Sequence, residues 1–188
     1  MKTHLIVSAA LVALSVVSVS ASAAIKSATF RTESNLPIYG TGAPLVLSKG
    51  SPLVAGADEL TGAHVISNPD GWGGGIVHMD LDKTTNILTL KAQDNWDFQT
   101  FHASVGFVRF TNATESICGI KYLGGNITTP AITPSATFVD NGVSISYVVQ
   151  DVSGGGYFNF VMGATAQFQI ETCVPRATEK ASVPGRNH

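Results

Sequence analysis

The chain has 188 residues, with 11 Lys and Arg against 13 Asp and Glu and a net charge of -2. Charged side chains are only 13% of the total and form no basic cluster, which argues against nucleic acid or an anionic membrane surface as a partner. Gly is abundant at 19 copies, while Thr, Ser, Val and aromatic residues recur throughout, a composition that suits sheets joined by turns.

The first 23 residues read as a secretory signal peptide. Lys2 and His4 form a short basic start, residues 5–19 are a Leu/Val/Ala run, and Ala21-Ser22-Ala23 supplies the small residues of a cleavage site, so the mature chain is expected to begin near Ala24. A membrane span needs about 20 predominantly apolar residues. This run is shorter, is broken by Ser15 and Ser18, and has no basic stop-transfer cluster behind it. No membrane span is expected in the mature chain, and its location is expected to be secreted or extracytoplasmic, meaning periplasm or cell surface in a bacterium. In that compartment the two cysteines, Cys118 and Cys173, are expected to form a disulfide. Asn112 and Asn126 each begin an Asn-x-Thr sequon, a glycosylation acceptor if the source is a eukaryote.

Residues 24–174 are long enough for one domain with a real core. Ala28 and Phe30 mark an early strand, and residues 54–60 a single helical turn. Val77, Met79 and Leu81 followed by Leu88, Leu90 and Ala92 predict a hairpin across a polar turn at 82–86. Phe101, Ala103, Val105 and Phe107 alternate with Thr100, His102, Ser104 and Gly106, placing the four apolar residues on one buried face. Ile120 with Tyr122, and Val143 through Val149, add further strands. Residues 158–170 predict one long strand or two separated by a bend at Gly163, and this segment is the candidate for an exposed sheet edge. The tail at 175–188 is polar and Pro-bearing and is expected to be disordered. The fold class is all-β with little helix: an antiparallel β-sandwich or jelly roll, with a β-barrel as the alternative.

No sequence motif carries a reaction by itself. His78, Asp80 and Asp82 fall on one face of their strand, where imidazole and carboxylates at alternate positions are candidate ligands for a divalent metal. The solvated face of a hairpin accounts for the same three residues. An EF-hand reading of Asp80, Asp82, Thr84 and Asn86 fails, because Thr85 stands where Gly is needed and Lys91 where the bidentate Glu belongs. His102 lies between Thr100 and Ser104, but side chains two apart on a strand run parallel and cannot form a nucleophile and its base. Asp94 and Asp97 flank Trp96, a pairing that suits glycoside chemistry and equally suits a turn rich in Asp and Asn. Gly73, Gly74 and Gly75 precede a strand and lack a following Lys-Ser or Lys-Thr, so they are no phosphate cradle.

The leading expectation is therefore an exported, non-enzymatic binding module for a glycan or a surface partner, with Trp72, Trp96, Asp97 and His102 as ligand-binding candidates. A loop Trp offers a large rigid face with a polar edge. The alternatives are a secreted carbohydrate-active enzyme using a metal or paired carboxylates, and a structural subunit of a surface assembly.

Overall fold

A computed structural model describes residues 24–35, 43–68, 71, 73–151 and 154–174. Residues 1–23, where the signal peptide is expected, Trp72 and the tail at 175–188 lie outside the described residues. Thirteen strands run in chain order: β1 (Ile25–Asn35), β2 (Leu45–Pro52), β3 (Val65–Ser67), β4 (Val77–Asp82), β5 (Ile87–Ala92), β6 (Trp96–Phe98), β7 (Thr100–Phe110), β8 (Ser116–Gly125), β9 (Thr128–Thr129), β10 (Ser135–Val139), β11 (Gly142–Val148), β12 (Phe158–Phe160) and β13 (Thr165–Cys173). They form a six-stranded sheet ordered β10-β11-β7-β1-β2-β3, a four-stranded sheet ordered β4-β5-β13-β8, and a three-stranded sheet ordered β6-β12-β9. All pairings are antiparallel and no sheet closes into a barrel, the arrangement of a β-sandwich. No α-helix occurs among the described residues. The helical turn expected at 54–60 is a short 3-10 turn two residues later, at Gly62–His64.

Alternation builds the sheets much as the sequence predicts. Val77, Met79 and Leu81 on β4 and Leu88, Leu90 and Ala92 on β5 are all buried. The hairpin pairs Val77 with Ala92 and Asp82 with Ile87, and its turn ends at Asn86, which takes a φ of 56°. One core serves all three sheets. Its aromatic part joins Phe101 and Tyr147 of the six-stranded sheet to Phe98, Phe158 and Phe160 of the three-stranded one, with Phe101 and Phe160 at 4.8 Å between ring centroids. Burying one such side chain stabilises the fold by about 1.5–3 kcal/mol. The seams between the larger sheets are bridged by backbone. Leu60 and Met79 exchange hydrogen bonds of 3.1 and 3.0 Å, and Ile117 N–H donates to the Asp140 carbonyl at 2.9 Å.

Two expectations are corrected. Phe107 is not in the core: it is 76% exposed, and Val108 takes the inward position. Between the pairings Thr29–Gly106 and Ser27–Arg109, β7 holds one more residue than β1, and Phe107 absorbs this bulge at a φ of 52°. The extra residue shifts the phase of the alternation, which a strict period of two cannot register. Residues 158–170 are likewise no edge: they divide at Gly163 into β12 and β13, and each lies between two neighbours in its sheet.

Candidate functional site

The three-stranded sheet positions the most site-like group of residues. Register pairs Asp97 with Asn159 and Asn159 with Thr129, giving one polar row across β6, β12 and β9. Phe98, Phe158 and Phe160 are buried on the opposite face. Asn159 Nδ2 donates to Asp97 Oδ1 at 2.8 Å, and Asn95 Oδ1 accepts from the Met162 N–H at 2.9 Å, so both amides are held in place. Asn95, Trp96, Asp97 and Asn159 line a small cleft of about 210 Å³.

Trp96 is half-buried at this cleft because glycine lies against it. A Cβ on Gly74 would fall 2.5 Å from Trp96 Cε3, and one on Gly75 would fall 3.1 Å from Cδ1. Gly75, at a φ of 88°, donates its N–H to both Asp94 oxygens at 3.0 and 3.1 Å. The glycine run thus seats the indole, with Asp94 fixing the turn.

A second, larger concavity of about 600 Å³ lies beyond the same sheet, where the loops after β9 and β11 meet. Pro130, Thr133, Gln150, Asp151 and Tyr157 are among its lining residues. Tyr157 is 53% exposed and directly precedes the buried Phe158. Gln99, wholly buried, holds this region from below: its carbonyl accepts from Val149 N–H at 3.1 Å, its side-chain amide donates to the Gly156 carbonyl at 3.0 Å, and its own N–H donates to Asn35 O at 2.9 Å.

The remaining candidates sit elsewhere. His102 is exposed on the outer face of the six-stranded sheet, its Nδ1 2.8 Å from Ser146 Oγ and beside Glu33 in register. Arg31 Nε donates to Glu33 at 2.7 Å on the same face. His78, Asp80 and Asp82 lie along β4, each with a different partner. His78 Nδ1 is 2.8 Å from Asp58 Oδ2, while its Nε2 accepts from the Gly62 N–H at 3.3 Å. Lys91 bridges Asp58 at 2.6 Å and Asp80 at 3.0 Å. Asp82 Oδ1 accepts from the Thr84 and Thr85 amides at 2.7 and 3.2 Å, bonds that hold its carboxyl below the ordinary value. Among the described residues, no group of three or more His, Cys, Asp and Glu side chains is placed to hold a metal ion. His78 and His102 occupy different sheets, and Asp94 and Asp97 turn to different partners, so neither grouping forms a common cleft.

Electrostatics around Asp58 fit a structural clasp that ties the 53–64 segment to the β4–β5 hairpin. Partial burial raises the Asp58 pKa, but hydrogen bonds from Lys91 and His78 outweigh it and hold it below 3.8. Glu59 is buried, and burial raises it above 4.5 although it accepts the Leu81 N–H at 2.7 Å and the Val54 N–H at 3.3 Å. The cysteines lie on neighbouring strands, where Cys118 occupies a bulge beside the Cys173 end of β13. Both thiols are free in the structure. The hydrogen bond that the Cys118 thiol makes to Cys173, then burial, pushes its pKa up to about 11. Asn112 is exposed, and its Oδ1 accepts from Thr114 N and Oγ1 at 3.1 and 2.9 Å; Asn126 is exposed too, while Thr128 of its sequon is buried.

No protein-family model matches the chain, and no significant match was found among curated proteins or solved structures. The site therefore has to be read from its own geometry. Sequence reasoning missed Asn95, Asn159 and Tyr157. Their polar or amphipathic character within and beside two short apolar strands was visible, but the pairing of β12 with β6 across 62 residues was not. It also missed Asp58, whose partners are 20 and 33 residues away.

Proposed function

We propose that the protein is exported by its first 23 residues and acts as a non-enzymatic glycan-binding module. One observation carries this reading: Trp96, Asp97 and Asn159 line one cleft, where the Asn159 amide and the Asp97 carboxylate are fixed to each other at 2.8 Å. An aromatic edge beside fixed amide and carboxylate groups is the chemistry that recognises a sugar, whose C–H faces pack on rings while its hydroxyls need donors and acceptors. Export places the Cys118 and Cys173 thiols in an oxidising compartment, where we expect them to bond. The test is retention of the purified protein on insoluble β-glucan, chitin and chitosan. Retention that falls after Asp97→Ala, with an unchanged melting temperature, supports the reading. Absence of retention on all three polymers overturns it.

A second reading, assembly through a surface contact, is favoured by Phe107. An L-residue in the left-handed region costs roughly 1–2 kcal/mol, and here that cost exposes an aromatic side chain. Phe107, Phe138 and Val139 rim an apolar groove of about 280 Å³. Nothing lies within 4 Å of a Cβ added at Gly106, so Gly106→Leu would fill the groove without disturbing the sheet. Light scattering at high concentration tests it: self-association lost in Gly106→Leu supports the reading, and a strict monomer removes it.

A further inference from the structure

We propose that the two clefts on the three-stranded sheet are one track, which takes a linear polymer of neutral or amino sugars along its length. This rests on the glycan reading above and adds the form and charge of the ligand.

Continuity is the first support. The smaller cleft ends at Asn159, and the larger begins at Tyr157 and Pro130. Tyr157 and Asn159 flank the buried Phe158, so by alternation both project away from the core, about 7 Å apart along the strand. Asn159 pairs with Thr129, which Pro130 follows, so the second strand leads to the same place. A ligand lying across Trp96, the Asp97–Asn159–Thr129 row and Tyr157 must be longer than one ring. A terminal sugar would fill the smaller cleft alone.

Charge is the second. Asp97 lines the smaller cleft and Asp151 the larger, and among the described residues neither cleft is lined by a Lys or Arg. Uronates and sulfated sugars would meet these carboxylates, a like-charge penalty that neutral sugars avoid and protonated amino sugars reverse. The third support is preorganisation. The Asn159–Asp97 and Asn95–Met162 bonds fix the smaller cleft, and Gln99 anchors the floor of the larger, so little ordering cost opposes binding.

The experiment is calorimetric titration of the intact mature protein with β-linked glucose and glucosamine oligomers of one to six units, and with oligogalacturonate. The track predicts affinity rising by at least about tenfold from monomer to hexamer, and no binding of oligogalacturonate. Tyr157→Ala, a surface change, should remove that gain for the hexamer while leaving the weak binding of the shortest oligomers unchanged. Equal affinity for monomer and hexamer, or a hexamer affinity indifferent to Tyr157→Ala, overturns the track and leaves the glycan reading standing. Tighter binding of oligogalacturonate than of the neutral oligomer overturns the charge assignment. Absence of binding by every oligomer, together with no retention on the polymers, removes both proposals.

Discussion

Gly74 lies against the indole of Trp96, where a Cβ would stand 2.5 Å from Cε3 and 2.8 Å from Cζ3. The contact leaves no room for any side chain. Gly74→Val should therefore displace the ring and destabilise the protein by about 1–3 kcal/mol, the usual range for overpacking. Urea denaturation would measure the loss, and Trp fluorescence would shift in the folded state. Gly73→Val is the control, because nothing lies within 4 Å of its Cβ position.

Tyr147 carries a buried hydroxyl without a hydrogen-bond partner among the described residues. Its ring packs among Phe101, Phe158 and Phe160, and burial raises the phenol pKa. Removing an unsatisfied buried hydroxyl relieves a desolvation cost of about 1–3 kcal/mol and vacates little volume. Tyr147→Phe should raise the stability by about 1 kcal/mol. A destabilised variant would mean that the hydroxyl is satisfied in solution.

The Asp58 clasp and Glu59 oppose each other in acid. Asp58 has a depressed pKa, so its contribution is present above the ordinary value of 3.8 and is lost as pH falls through the folded value. Glu59 has a raised pKa, so its burial costs stability at neutral pH, and that cost fades as pH falls toward 4.5. Asp58→Asn should cost about 1 kcal/mol at pH 7. It should also unmask Glu59, so that the variant gains stability on mild acidification. Denaturant titrations between pH 7 and the ordinary glutamate value of 4.5 would detect that reversal of slope.

Oxidation of Cys118 and Cys173 should lower the mass by two hydrogens and raise the unfolding midpoint, both reversed by a thiol reductant. Closing the loop between them is worth about 4 kcal/mol in the chain-entropy model. The register at the Cys118 bulge sets how much of this is realised. Two titratable thiols in protein purified from an oxidising compartment would rule the bond out.

Local pattern made much of the fold legible. The hairpin of β4 and β5 followed from six alternating residues and a polar turn, and every apolar one of those residues is buried. Phe107 was illegible for a definite reason: a bulge adds a residue without changing composition, so alternation places the ring on the wrong face. The site was half legible. Trp96 and Asp97 stand together in sequence, and the cleft keeps them together. Asn159 reaches them only through antiparallel pairing at long range, and His102, which composition grouped with them, sits on a different sheet. Likewise the three residues on one side of β4 share a face without converging, since His78 turns to Asp58, Asp80 to Lys91 and Asp82 to the Thr84 and Thr85 amides of its own turn.

Gln99 ties the end of β1, the end of β11 and Gly156 into one buried junction. Its consequence is kinetic. The floor under Tyr157 is set when the core forms, so no slow gating step should precede capture of a ligand there. Stopped-flow association should follow a single exponential whose rate grows linearly with ligand concentration. In Gln99→Ala the same trace should acquire a concentration-independent phase, as the junction opens and closes on its own schedule.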